Sequence, residues 1–386
     1  MGSPQIPVFD VRVDPEDLEA VADVLRSGWL SAGPRTEEFE QAFADHLGCK
    51  HVLALSSCTA ALHLACLAAD IGPDDEVIVP SLTFVATANA VRYCGARPVF
   101  CDLVGGEGND LNLDVELVET LITDRTKAVI PVHWAGYPVE IEALAALCER
   151  RGLTLIEDCA HAPWAHYGDR QLGTFGMAGC FSFFPNKVLG VGEGGAFCTD
   201  SDRVAERVRR LRSQGMTATT IDRHRGSAMS YDVVELGFNY RFDDLRAALI
   251  LPRFARLGGE IERRRQIIGR YRELLAGAER MEVAYVGNDL SRSSCYLMGV
   301  LVDPALRSDV RERLREEHGV QTTVYPATHE LGGYVREFGP VSLPKTEDAA
   351  RRLFSIPLYP HMEDSLQEQV AAAVRKSVAD AREAAA

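Results

Sequence analysis

Residues 179–199 read GCFSFFPNKVLGVGEGGAFCT. Two β-rich runs, GCFSFF and GGAFCT, lie close together across a glycine-rich turn, so this part of a sheet is expected to be antiparallel. The first run delivers Ser182, and a turn at Pro185 and Asn186 presents Lys187. Phe181, Phe183 and Phe184 give that lysine an apolar setting. Such a setting disfavours the charged form, lowers the pKa and makes the amine nucleophilic. The alternative is a surface lysine in a glycine-rich turn, and the aromatic neighbours weigh against it.

Upstream, TLIEDCAH (154–161) reads as a buried strand that ends in Glu157 and Asp158. Ligands of open α/β sheets gather at the carboxyl ends of strands. A carboxylate there either pairs with a cation, such as a metal ion or a protonated ring nitrogen, or serves as a structural cap of the next turn. Further up, SSCTAALHL (56–64) passes directly from a strand into a helix. The unpaired N–H groups of a helix start form an anion site, to which Thr59 adds a hydroxyl. Simple capping by Ser57 or Thr59 is the other reading.

Between these stretches the pattern alternates. EVIVPS, RPVFCDL, KAVIPVH and TLIEDC are short β-rich runs, and TFVATANAVRYCG, DVELVETLI and IEALAALCERRG are helical. This alternation predicts a largely parallel sheet with helices on both faces. Before it, DPEDLEAVADVLRSG reads as a helix capped by Asp14, opened by Pro15 and ended by Gly28. TEEFEQAFADHLG repeats that pattern from a Thr36 cap to Gly48. The character changes near residue 243, where DDLRAALILPRFARLGGEIERRRQIIGRYRELLAG predicts one long helix with Pro252 as the place for a kink. The helix is expected to lead into a second, smaller α+β unit, with strands near 281–286, 295–302 and 320–325 and helices over 306–318 and 362–383. The division expected is a large domain over residues 1–250 and a small one over 251–386.

Composition narrows the function. The 386 residues are 46% hydrophobic and 25% charged, ordinary for a globular chain. Lys plus Arg number 41 against 56 Asp plus Glu, a net charge of -15, which repels nucleic acid and anionic membranes. The ten cysteines are scattered through apolar runs without a CxxC pair, which argues against a zinc site and for buried thiols in a reducing compartment. MGSPQIPVFD has neither the basic region nor the apolar core of a signal peptide, and no apolar run reaches membrane-spanning length. No metal, nucleic-acid or membrane partner is expected, and the cytoplasm is the expected location.

An anion loop, an aromatic segment, a strand-end Asp158 and, 29 positions on (187 − 158), Lys187 form the order of a pyridoxal phosphate (PLP) site. The sequence at this point resembles, over almost its whole length, the DegT/DnrJ/EryC1/StrS family of sugar aminotransferases. The resemblance is carried by VLRSGWLSAGPRTEEFE (24–40), SSCTAALHLA (56–65), VIVPSLTFVATANAV (77–91), PVHWAGYP (131–138) and IEDCAHAPWAHYGDRQLGTFG (156–176). It continues through FSFFPNKVLGVGEGG (181–195), LGFNYRFDDLRAAL (236–249) and SIPLYPHM (355–362). It implies an α/β chain of PLP fold type I, similar to aspartate aminotransferase, working as a homodimer with shared sites.

The resemblance also implies roles. Lys187 would form the Schiff base and shuttle the proton, and Asp158 would pair with the pyridine nitrogen. Phe84 would stack on the ring, while Thr59 and Ser182 would hold the phosphate. Asn239 would reach the phosphate of the neighbouring subunit, in a turn shaped by Tyr240 and Arg241, with Asp243 capping the helix that follows. Cys58 stands where the family usually has Gly; a positive φ there would strain it. His161 stands where the family usually has Gln, near the ring hydroxyl. The implied reaction moves an amino group from glutamate or glutamine to a keto sugar, nucleotide-linked and 3- or 4-keto-deoxy. A cyclitol ketone is the alternative acceptor. Relatives that dehydrate sugars carry His at the Schiff-base position, so Lys187 weighs against that reading, and the intact site weighs against a non-catalytic binding protein. Arg223, His224 and Arg225, within 213–241, are candidates to meet a diphosphate, and His329, within VYPATHE, is a further candidate for substrate contact.

Overall fold

The computed structural model describes residues 6–106, 108–218, 226 and 229–385. Seven strands form the central sheet: β1 (His51–Leu55), β2 (Glu76–Pro80), β3 (Arg97–Cys101), β4 (Thr126–Val129), β5 (Thr154–Asp158), β6 (Ala178–Ser182) and β7 (Gly195–Thr199). Their order across the sheet is β1-β7-β6-β5-β4-β2-β3. Neighbours from β6 to β3 are parallel, whereas β7 runs antiparallel to both β6 and β1. The antiparallel element expected from 179–199 is therefore this one strand. Because it reverses, β1 points the same way as β6, and the carboxyl ends of β1, β2, β5 and β6 share one edge. Pro98 is tolerated because β3 is the outermost strand.

Alternate side chains of these strands enter two cores, one on each face. Val52, Ala54, Ile78, Leu155, Phe181 and Cys198 pack with Phe39 and Phe43 of α2 (Pro34–Leu47) and Leu144 of α6 (Ile141–Arg151). Leu53, Leu55, Val77, Val79, Ile156 and Phe197 pack with α3 (Cys58–Ala68), α4 (Ala86–Tyr93) and α7 (Asp202–Leu211). Helix α1 (Pro15–Ser27) starts at Pro15 and stops at left-handed Gly28, as its sequence predicts.

The long helix α8 (Asp244–Leu275) runs unbroken for 32 residues, about 48 Å. It carries Pro252 internally, and Asp243 caps it by accepting from the Arg246 N–H at 3.0 Å. Asp244 corrects the expectation for Thr36. Helix α2 begins at Pro34, and Thr36 lies inside its first turn. There the buried Asp244 carboxylate accepts from the Thr36 N–H (3.0 Å), the Thr36 hydroxyl (2.7 Å) and the Arg35 N–H (3.2 Å). One helix thus caps another from 208 residues away.

A second sheet holds β8 (Met281–Val283), β9 (Met298–Val302) and β10 (Leu353–Ile356) in antiparallel order. Helices α9 (Arg307–Glu316) and α12 (Asp364–Ala385) pack together, and α12 also packs on α8. Strand β9 starts at 298 rather than 295 because Cys295 takes φ +54°. Residues 320–325 do not form the expected strand. Val320 bridges to Ile6 and Thr323 to Ser355, so no consecutive run faces one neighbour. Ile6 lies in the same core as Tyr271, Val300 and Phe354.

Candidate functional site

The shared strand edge gathers the candidate residues. Asp158 ends β5 with only 3% of its surface exposed. Its Oδ2 accepts from the Thr87 hydroxyl at 2.8 Å and its Oδ1 from the Ala160 N–H at 3.1 Å. Burial pushes its carboxyl pKa above the ordinary range, against the pull of Thr87, Ala160 and the Lys187 ammonium. Glu157, the preceding residue, is already saturated. It accepts from the Gly173, Phe175 and Gly176 N–H groups and faces His133 Nε2 at 3.2 Å. His133 Nδ1 in turn accepts from the Val139 N–H. His133, Glu157 and Cys159 lie close enough to suggest a metal cluster. The hydrogen bonds on both ring nitrogens and the carboxylate make it a structural network instead.

Lys187 sits in the turn after β6, where its N–H donates to the Phe184 carbonyl at 2.9 Å. Burial pulls its pKa down to about 8, opposed by the charge of Asp158. Burial keeps the Cys58 thiol well above its ordinary pKa, and the Asp158 carboxylate adds to the effect. Cys58 is the first residue of α3, outside the positive-φ residues, so its backbone is unstrained. Ser57 caps α3 by accepting from the Ala60 N–H at 3.1 Å.

His161 is buried, and burial drives its pKa well below the ordinary value, helped by the Lys187 ammonium. Its Nδ1 lies 3.2 Å from the Ala135 N–H, which must donate to it. The ring is therefore the neutral tautomer with its proton on Nε2. The histidine that stands in place of the family's Gln is thus a neutral donor.

Four residues are held more loosely. Ser182 ends β6, and its Oγ accepts from the Phe184 N–H at 3.4 Å. Thr59 lies with Ser57, His63, Tyr93 and Tyr240 along an open cleft. Phe84 is 70% exposed in the loop between β2 and α4. Asn239 is exposed, while the Tyr240 carbonyl beside it accepts from the Ser56 N–H at the end of β1. Within one chain, then, Cys58, Asp158, His161 and Lys187 come together. Arg223, His224 and Arg225 lie outside the described residues. His329 is buried against Ser81, its Nδ1 2.7 Å from the hydroxyl.

Two further residues reach the site without a sequence signal. Thr87 lies in an ordinary helical run, and Tyr296 in a segment legible only as a strand. Tyr296 places its hydroxyl 3.4 Å from Lys187 Nζ. The donor set fits PLP. A buried carboxylate without an ion-pair partner among the described residues suits a protonated ring nitrogen, a depressed amine suits a carbonyl carbon, and a helix start suits a phosphate.

The comparisons agree with that chemistry. Residues 11–375 match the DegT/DnrJ/EryC1/StrS aminotransferase family. The spore coat polysaccharide biosynthesis protein SpsC of Bacillus subtilis is 38% identical over 371 residues, 94% of each chain. The UDP-4-amino-4-deoxy-L-arabinose–oxoglutarate aminotransferase of Shewanella sediminis is 36% identical over 389 residues, 98% of this chain and 99% of that one. The crystal structure of the aminotransferase TlmJ from Streptoalloteichus hindustanus superposes with a TM-score of 0.89 at 36% identity, covering 97% of this chain and 99% of that one. The chain belongs to the DegT/DnrJ/EryC1/StrS aminotransferase family and is a PLP-dependent aminotransferase of fold type I.

Proposed function

We propose that the enzyme moves an amino group from glutamate or glutamine to a nucleotide-linked 3- or 4-keto-deoxy sugar. The observation that carries this is a half-buried Lys187 amine with a lowered pKa near the buried Asp158 carboxylate at one strand edge. The relative named for UDP-4-amino-4-deoxy-L-arabinose and oxoglutarate supports the sugar and the donor.

PLP, when bound, supplies an electron-withdrawing ring that carries the amino group between two substrates. The chain's residues do the rest. Lys187 Nζ would hold the cofactor and, as a free amine, would take the proton from the donor's α-carbon. Asp158 keeps the ring nitrogen protonated, and Thr87 holds its carboxylate in place. His161 Nε2–H would serve the ring hydroxyl, Phe84 would cover the ring, and the α3 start with Cys58, Thr59 and Ser182 would take the phosphate.

Asn239 completes the phosphate contacts in a second subunit. Support comes from its exposed position and from the apolar stretch before it, where Val233 (54%), Val234 (55%) and Leu236 (85%) face outward. The test is incubation of the pyridoxamine form with a panel of keto-sugar nucleotides and a cyclitol ketone, read by mass spectrometry. An aminated sugar nucleotide is the expected product. Amination of the cyclitol ketone alone overturns the reading.

A further inference from the structure

We propose that Tyr296 is a positioning residue that receives the Lys187 amine whenever the lysine is detached from cofactor. This rests on the role of Lys187 given above. Nζ lies 4.4 Å from the Tyr296 ring centroid and 3.4 Å from its hydroxyl. Both the ring face and the hydroxyl oxygen attract an ammonium, and both do so more strongly where water is excluded.

The tyrosine is held from every side. It is 2% exposed. Phe9 stacks on it at 5.7 Å with 13° between planes, and His161 at 4.4 Å with 24°. Its N–H donates to the Ala135 carbonyl at 3.1 Å, and its own carbonyl accepts from Arg264 at 3.4 Å. The loop that supplies Ala135 fits tightly. A Cβ on Gly136, at φ +89°, would collide with Ser294 Oγ and the His161 carbonyl. His161, Ala135 and Tyr296 thus form one block, and Lys187 rests on its tyrosine ring.

Cys58 and Asp158 act on the amine electrostatically, and the ammonium in turn helps to keep His161 neutral. Arg264 and Tyr325 act on Tyr296. Among these groups Asp158 also favours the ammonium, but it has a second task on the ring nitrogen. Tyr296 has none, so its hydroxyl can be removed without disturbing that pair.

The test uses cofactor-stripped Tyr296→Phe, which keeps the ring and both stacks and deletes only the hydroxyl. Reductive methylation of Lys187 by formaldehyde and cyanoborohydride is followed against pH by peptide mass spectrometry. Loss of one acceptor from a buried ammonium should lower the midpoint by about one pH unit. At pH 7 the methylation rate should then rise about fivefold, from the larger share of uncharged amine. Tyr296→Leu, which also removes the ring face, should lower the midpoint further. The inference is overturned if the Tyr296→Phe profile superimposes on that of the parent protein. It is also overturned if melting temperature falls while the midpoint stays, since that marks a packing role alone. The role of Lys187 fails separately, if borohydride reduction of the PLP-loaded parent enzyme labels a different lysine.

Discussion

Asp158→Asn separates the charge of the site from its shape. In the parent structure Oδ2 accepts from Thr87 Oγ1 at 2.8 Å and Oδ1 from the Ala160 N–H at 3.1 Å. Asparagine can keep its carbonyl oxygen toward Ala160 and turn its amide nitrogen toward Thr87. The Thr87 hydroxyl then becomes an acceptor, and its own proton can pass to Thr83 Oγ1 (2.8 Å) or the Phe84 carbonyl (3.3 Å). No buried donor is stranded, so the fold should lose only about 1 kcal/mol. The catalytic cost is larger, because a ring nitrogen buried beside a neutral amide no longer keeps its proton. Breaking a buried ion pair costs about 3–5 kcal/mol. Carried wholly into the transition state, this is roughly two to three and a half orders of magnitude in rate. Because the charge is needed at the proton-removal step, kcat and kcat/KM should fall together. The assay is oxoglutarate release from glutamate under saturating keto sugar, with a thermal melt on the same sample. Transamination within about fivefold of the parent rate, at an unchanged melting temperature, would refute the electron-sink role.

Three other outcomes follow from the same geometry. Lys187→Ala should lose turnover to background yet still bind PLP non-covalently, visible as a cofactor absorbance that dialysis removes and borohydride does not fix. His46, stacked on Trp164 at 3.7 Å, has its pKa lowered by burial from 6.5 to about 4. Its contribution to stability is therefore complete above about 6.5 and is lost as pH falls toward about 4. Its Nε2 has no partner among the described residues, so His46→Phe should narrow the gap between melting temperatures at pH 7 and pH 5; an unchanged gap rules this out. Mixed dimers of Lys187→Ala with Asn239→Ala should recover activity, since one site in each would hold both residues intact. Verified mixed dimers without recovery would exclude the shared site.

The parts of this molecule that were legible in the sequence are those whose cause is local. Each central strand is a run of four or five residues, mostly buried, so its existence and type follow from period and composition. Its place in the order β1-β7-β6-β5-β4-β2-β3 does not, because the pattern of one strand says nothing of which neighbour it meets. Lys187 and Asp158 stood out because each adjoins a strand end in sequence, Asp158 closing β5 and Lys187 lying in the turn after β6. Thr36 misled because its true partner, Asp244, arrives from 208 residues away and turns a plausible cap into a first-turn residue. Tyr296 lies 109 residues from Lys187, and CYLMGV carries no mark to distinguish it from any buried strand.

The same distinction explains the chemistry. Type and spacing could name an amine and a carboxylate. The fold adds that burial raises Asp158 as it lowers Lys187, so that both groups are costly to keep charged without a partner. Asp158 has two hydrogen bonds but no ion pair among the described residues, and on the proposed reading a protonated ring nitrogen would supply that cation. Lys187 rests on Tyr296, a neutral ring that a carbonyl carbon can replace without breaking an ion pair. On that reading, cofactor binding would satisfy the carboxylate and withdraw the lysine from a contact that is weak enough to leave.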